Sequence, residues 1–400
     1  MKPLYFSHFT AVSCAGVGLQ QTLLALLNGQ NGLSSPSRFL PAGLDSWIGE
    51  VPGVDDIVLP AGLNEFNCRN NRLAELGLRQ DRFEEAVDML RIRYGAQRIG
   101  VFLGTSTSGI LQTELAYRRR DPLSGALPAD FVYHGTHNSF SLSAYVRARL
   151  GLSGPACVVS TACSSSAKVF ASAQRMIASG MIDAAVVGGV DSLCLTTLHG
   201  FNSLELLSPE PCRPFDPQRS GISIGEAAVF GLLTRAGDEP LSHADAVKLL
   251  GAGESSDAYH MSSPHPDGRG ARLAMEAALN SAGLTAAEID YINLHGTATL
   301  SNDAAEGKAV YSLFGGATPC SSTKGMTGHT LGAAGALEAV VCALALRHGV
   351  MPGSPNTRKA LSDPPLNYLL TSRKQPFLRA LSNSFGFGGS NCCLIFSAHD

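Results

Sequence analysis

The chain has 400 residues, 44% hydrophobic and only 16% charged, with 43 glycines. That supplies a core for two domains or one large duplicated one, and it argues against a disordered chain or a coiled coil. Lys and Arg number 30 against 33 Asp and Glu, a net charge of −3 that gives no general basis for nucleic-acid binding.

The ten cysteines are scattered and form no C-x-x-C pair, so they read as reduced thiols, with no disulfide framework and no metal site. The start lacks the pattern of a secretory signal. The most apolar stretch, 331–346, is interrupted by Glu338 and falls short of a membrane span. A cytoplasmic enzyme is expected.

In chain order, a helix is predicted over 81–93 and a strand over 98–103. An apolar strand then ends near Val159, and a helix follows over 164–179. Strands are predicted over 184–187 and 227–233, and residues 237–243 form the best linker candidate. A helix over 270–282, a strand over 289–294, a helix over 331–347 and a strand over 393–396 complete the pattern. Short β-branched runs alternating with Ala-rich helices predict α/β layers.

Four segments could carry chemistry. In Ser160-Thr161-Ala162-Cys163, a strand turns into a helix of small residues and leaves Cys163 at the helix start. There, free N–H groups and the dipole would favour a thiolate nucleophile. The plainer reading is a buried cysteine acting as a small apolar residue. His295 lies in a Gly/Thr loop at a strand end, where a side chain can face a cleft or be satisfied by neighbouring hydroxyls. Lys324 and His329 flank a glycine turn that does not match the nucleotide P-loop pattern. The fourth segment, Asn383 to Asn391, is a glycine-rich turn before the last strand. One thiol, two imidazoles and a lysine on three glycine loops form an acyl-transfer set: the thiol can hold a thioester, and the imidazoles can stabilise an enolate.

At these residues the chain resembles the β-ketoacyl-[acyl-carrier-protein] synthases of the condensing-enzyme family. The blocks stand in family order: Ser160 to Cys163, Arg213 to Asp216, Gly225 and Glu226, Ser255 to Met261, His295 to Thr299 with Asp303 and Glu306, Lys324 to His329, and Asn383 to Gly389. The resemblance implies a thiolase-like fold, with two similar halves (1–240 and 241–400) in α-β-α-β-α layers. It implies Cys163 as the acylated nucleophile, with His295 and His329 assisting decarboxylation. It implies Lys324 as a structural and electrostatic partner of Glu338, with Asp303 and Glu306 in support.

It further implies that Thr297 and Thr299 bind the phosphopantetheine arm, that Phe385 gates the site, and that the N–H groups of Cys163 and Phe385 form the oxyanion hole. No cofactor is expected to be permanently bound, since substrates arrive on acyl carrier protein. The dimer partner is expected to be identical or a related synthase-like subunit. Arg69, Arg72, Arg118, Arg119 and Arg120 are the candidates for carrier docking. Thr107 is expected at the floor of the acyl tunnel. Departures at Ser220, Ile222, Glu205 and Thr107 set a specialised polyene or polyketide-like pathway beside fatty-acid synthesis. The alternatives are a coenzyme-A thiolase, toward which Cys392 and Cys393 weakly point, and a non-catalytic chain-length-factor-like subunit.

Overall fold

A computed structural model describes residues 2–35, 37–41, 43–235 and 247–398. Its main sheet runs, in hydrogen-bonded order, Asn367–Tyr368, Pro319–Ser321, Tyr291–Asn293, Arg379–Gly386, Ser390–Ser397, Val247–Ser256, Leu4–Ser13, Ala227–Arg235, Ala184–Asp191, Ile99–Gly104 and Ala156–Val159. The order contains a repeat. Counted outward from Leu4–Ser13, the strands of the first set come first, fifth, fourth, second and third along the chain. Counted outward from Val247–Ser256, the second set comes in the same order, with Asn367–Tyr368 added at the edge. The two sets meet through Leu4, Tyr5 and Phe6, which pair with Leu249, Lys248 and Val247.

In each set the second, third and fourth strands are parallel, so helices must cross over between them and cover the sheet. This explains why Ala184–Asp191 is buried at every position and does not alternate. In each set the third strand leads to a helix at the centre of the molecule: Ser165–Ala178 in the first half and Ala334–His348 in the second. They pack closely. A Cβ on Gly335 would stand 2.7 Å from the Cβ of Ala167, and the N–H of Ala336 donates to Ser166 Oγ at 2.9 Å. Small residues are required here, which accounts for part of the glycine and alanine content. The apolar segment Leu331–His348 is 89% buried, so its hydrophobicity serves the core.

The helices and strands expected from periodicity form, with ends shifted by a few residues. The segment over 331–347 splits into a 3-10 turn, Leu331–Ala333, and the helix Ala334–His348. Leu4–Ser13 and Val247–Ser256 had no counterpart in the predicted pattern. The linker at 237–243 and the division at residue 240 lie outside the described residues.

Candidate active site

Cys163 follows Ala162, whose φ of 52° is left-handed and strained for a residue with a side chain. Ser165 Oγ stabilises this turn by accepting the N–H of Thr161 at 2.9 Å. The turn ends at Ser164, the N-cap of the central helix Ser165–Ala178, so the thiol stands at the helix start as the sequence suggested. Its protonation differs from the sequence expectation. Burial pushes the thiol up to about 11, while the Lys324 ammonium and the N–H of Phe387 pull it down and the Asp191 and Glu338 charges push it up. Desolvation outweighs the neighbouring positive charge.

His329 takes the equivalent place before the second central helix. Its backbone is clamped on both sides: its N–H donates to Ser223 O at 2.7 Å and its carbonyl accepts from Gly225 N–H at 3.0 Å. The N–H of Leu331 donates to His329 Nδ1 at 3.2 Å, so a neutral ring carries its proton on Nε2. That atom has no partner among the described residues.

His295 follows the strand Tyr291–Asn293. Glu306 holds its loop by accepting the N–H groups of His295 and Gly296 at 2.7 and 2.8 Å. Lys324 Nζ lies 3.3 Å from His295 Nδ1, and because an ammonium can only donate, this ring too carries its proton on Nε2. The two rings stand 5.3 Å apart at 84°. The Cys163 thiol and one nitrogen of each imidazole lie within 4.8 Å of one another. Burial, then the Lys324 charge, moves both histidines well below their usual value, so both are neutral N–H donors.

This tautomer also bears on metal binding. A ligating imidazole donates its other N–H outward, whereas here both Nδ1 atoms face donors. Cys163, His295 and His329 therefore do not fit a metal, although their spacing would allow one.

Lys324 is 2% exposed and directs its ammonium at the His295 carbonyl and the Glu338 carboxylate. Burial raises Glu338 and Glu306 to about 7. Asp303 accepts the N–H groups of Phe215 at 2.8 Å and Ala298 at 3.2 Å, tying the Arg213–Asp216 block to the histidine loop. The Thr297 and Thr299 hydroxyls are 2.9 Å apart and line one pocket together with Cys163, His295 and His329. Ile222, one of the departures from the family pattern, also lines it, as do Phe201, Leu206 and the stretch Ser262 to Pro264, to which no motif had pointed.

Three expectations need correcting. First, the N–H that bonds the Cys163 sulfur is that of Phe387, not Phe385. Phe385 lies inside the strand Arg379–Gly386, paired with Asn391, and its ring packs edge-on to His295 at 5.8 Å. Phe387 is only half-buried, meets Phe201 at 5.6 Å and lines the pocket with it. The glycines allow this close approach: a Cβ on Gly386 would meet the Thr161 carbonyl at 2.6 Å.

Second, Arg69 is 1% exposed and pairs with buried Glu226, its Nε 3.0 Å from the carboxylate, so it is no part of an exposed rim. Arg72 is partly exposed beside Asp55. Arg118, Arg119 and Arg120 are exposed where the Ile110–Arg118 helix ends, with Arg119 paired to Asp130 at 3.0 Å. Third, the Thr107 hydroxyl is not left facing a tunnel. It donates to Asp191 Oδ1 at 2.7 Å and accepts the N–H of Ser192 at 3.2 Å.

Of the ten cysteines, Cys163 alone lines the pocket. Cys392 and Cys393 are fully buried in the strand Ser390–Ser397, which leaves a thiolase without its second thiol.

Residues 83–239 match the N-terminal domain, and residues 247–358 the C-terminal domain, of the β-ketoacyl synthase family model. The chain is 33% identical to a 3-oxoacyl-[acyl-carrier-protein] synthase 2 of Rhizobium meliloti, over 96% of each chain. Among solved structures, it superimposes with a TM-score of 0.90 on a ketosynthase complex with its chain length factor from Xenorhabdus doucetiae. That likeness is 41% identical over 99% of this chain and 98% of the other. A β-ketoacyl synthase from Burkholderia phymatum gives a TM-score of 0.86 at 27% identity, over the full length of both chains. The protein is thus an acyl-transferring condensing enzyme with the thiolase-like fold. It belongs to the β-ketoacyl synthase family.

Proposed function

We propose that the protein condenses an acyl group held on Cys163 with malonyl-[acyl-carrier-protein] to give 3-oxoacyl-[acyl-carrier-protein]. The observation that carries this reading is the pair of Nε2–H donors gathered around the one thiol of the pocket. In the first half-reaction the Cys163 thiol attacks the acyl thioester, and its proton leaves with the pantetheine thiol. In the second, the malonyl carboxylate departs as CO₂ and its bonding pair becomes an enolate. The two neutral imidazoles donate to the enolate oxygen. The enolate carbon attacks the Cys163 thioester, whose oxyanion is held by the N–H groups of Cys163 and Phe387. Collapse expels the Cys163 thiolate, which one proton from solvent restores.

Lys324 orients His295 and keeps both rings neutral, and Glu338, Glu306 and Asp303 hold the loops. Thr297 and Thr299 offer hydroxyls to the pantetheine arm. No permanently bound cofactor is required. The partner is acyl carrier protein, docking at the exposed Arg118, Arg119 and Arg120, in the cytoplasm. The higher identity to a ketosynthase solved with its chain length factor supports a non-identical, synthase-like second subunit and a polyene or polyketide-like product. The two halves, 1–240 and 241–400, supply the nucleophile and the histidines.

The test incubates the protein, alone and with such a subunit, with malonyl-carrier and a panel of acyl-carriers, and reads products by intact mass. Two-carbon-extended 3-oxoacyl-carriers are expected. Acyl exchange without CO₂ release would overturn the reading.

A further inference from the structure

We propose that Asp191 is a positioning residue for His329: from the opposite half of the molecule, it anchors the strained turn whose N–H fixes the imidazole tautomer. The inference rests on the decarboxylative reading above.

Asp191 ends the strand Ala184–Asp191 and is fully buried. A buried carboxylate is expensive unless its lone pairs are filled. Here Oδ1 accepts from Thr105 Oγ1 at 2.7 Å, from the Ser106 and Thr107 N–H groups at 2.8 Å each, and from Thr107 Oγ1 at 2.7 Å. Oδ2 accepts from Ser106 Oγ at 2.6 Å. All of these donors belong to the first half. The remaining donor does not: it is the N–H of Gly332, which bonds Oδ2.

Gly332 follows Leu331, whose φ is 52°, a left-handed conformation that a leucine holds only under constraint. The constraint acts at both ends. The N–H of Leu331 donates to His329 Nδ1, and the next N–H is fixed on Asp191 and on Ser106 Oγ (3.3 Å), a hydroxyl that Asp191 itself holds. Without the second anchor the turn can relax, and the first donor swings away from Nδ1. The ring proton is then free to move from Nε2 to Nδ1, and the pocket loses an enolate donor. The contact is tight: a Cβ on Gly332 would stand 2.7 Å from Asp191 Oδ2.

The same carboxylate acts oppositely on the nucleophile, because its negative charge disfavours the Cys163 thiolate. Neutralising it should impair His329 and ease ionisation of Cys163; loosening of the fold would also expose this buried thiol, so the His329 tautomer signal and a variant that keeps the charge separate the two.

The experiment compares wild type, Asp191→Asn, Gly332→Ala and His329→Ala. Three readouts are taken: CO₂ release from malonyl-carrier, alkylation of Cys163 by iodoacetamide at fixed pH, and ¹⁵N shifts of labelled histidine. Asp191→Asn should release CO₂ about 10- to 100-fold more slowly, alkylate at least as fast as wild type, and shift His329 toward mixed tautomers. Gly332→Ala displaces the contact while keeping the charge. It should slow CO₂ release likewise and leave alkylation unchanged, and it carries the test if Asp191→Asn fails to fold. Wild-type CO₂ release in both variants, or slowed release with an unmoved His329 signal, would overturn the inference. If wild type and His329→Ala release CO₂ equally, the decarboxylative reading itself fails, which is a separate result.

Discussion

The two halves of the molecule share a strand order and a central helix, and they put different chemistry at the same places. After the third strand, the first half presents Cys163 and the second presents His329, each beside a residue forced to positive φ, Ala162 and Leu331. After the second strand, the first half builds the Thr105 to Thr107 loop around Asp191, and the second builds the His295 loop around Glu306. One loop is purely supportive and the other carries an imidazole. The lesson is that a repeated scaffold brings two helix starts face to face, and side-chain choice then divides one reaction into two half-reactions.

The largest expected effect comes from the first half. Cys163→Ala should abolish the acyl-enzyme and lower condensation by at least about 10³-fold. Peptide mapping should find the thioester on Cys163, and a thioester on any other cysteine would break the division between halves.

On the histidine side, at pH 8, above the Glu338 value of about 7, Lys324→Ala would leave that carboxyl buried without its partner and destabilise the fold by about 3–5 kcal/mol. At fixed pH it should also slow Cys163 alkylation, because the Lys324 charge lowers that thiol. Unfolding by urea and alkylation kinetics check the two effects separately.

A smaller effect is expected from Glu306, which burial raises from the usual 4.5 to about 7. A carboxyl whose folded value exceeds its unfolded one binds more protons when folded. Its stabilising contribution is therefore full below pH 4.5 and is lost as pH rises through about 7. Relative to Glu306→Gln, wild type should lose on the order of 1–3 kcal/mol between pH 5 and pH 8. A difference that stays constant with pH would contradict the assignment.

The smallest effect should come from Arg118, Arg119 and Arg120 changed together to Ala. KM for carrier substrates should rise and become less sensitive to salt. Stability should hold, since exposed pairs such as Arg119 with Asp130 contribute at most about 1 kcal/mol. An unchanged KM would remove this rim from the docking surface.

Much of this was legible in the chain. The strand-to-helix turn at Cys163 and the glycine loops around His295, Lys324 and His329 are local patterns, and local patterns survive into the fold. What escaped is what depends on distant partners. Arg69 looks like a surface charge until Glu226, 157 residues away, buries it. Thr107 looks free until Asp191, 84 residues away, takes its hydroxyl. Phe385 and Phe387 sit in a near-repeat, and only the bend after the strand decides which N–H meets the sulfur. Leu4–Ser13 is buried along almost its whole length, so it shows no alternation to read.

The most direct test of the division between halves is the fate of His329→Ala given acyl-carrier and then malonyl-carrier, followed by intact mass and CO₂ release. The acyl-enzyme on Cys163 should form and persist, with CO₂ release down by about 10²–10³-fold. Equal loss of acylation and decarboxylation, with the fold intact, would contradict the account.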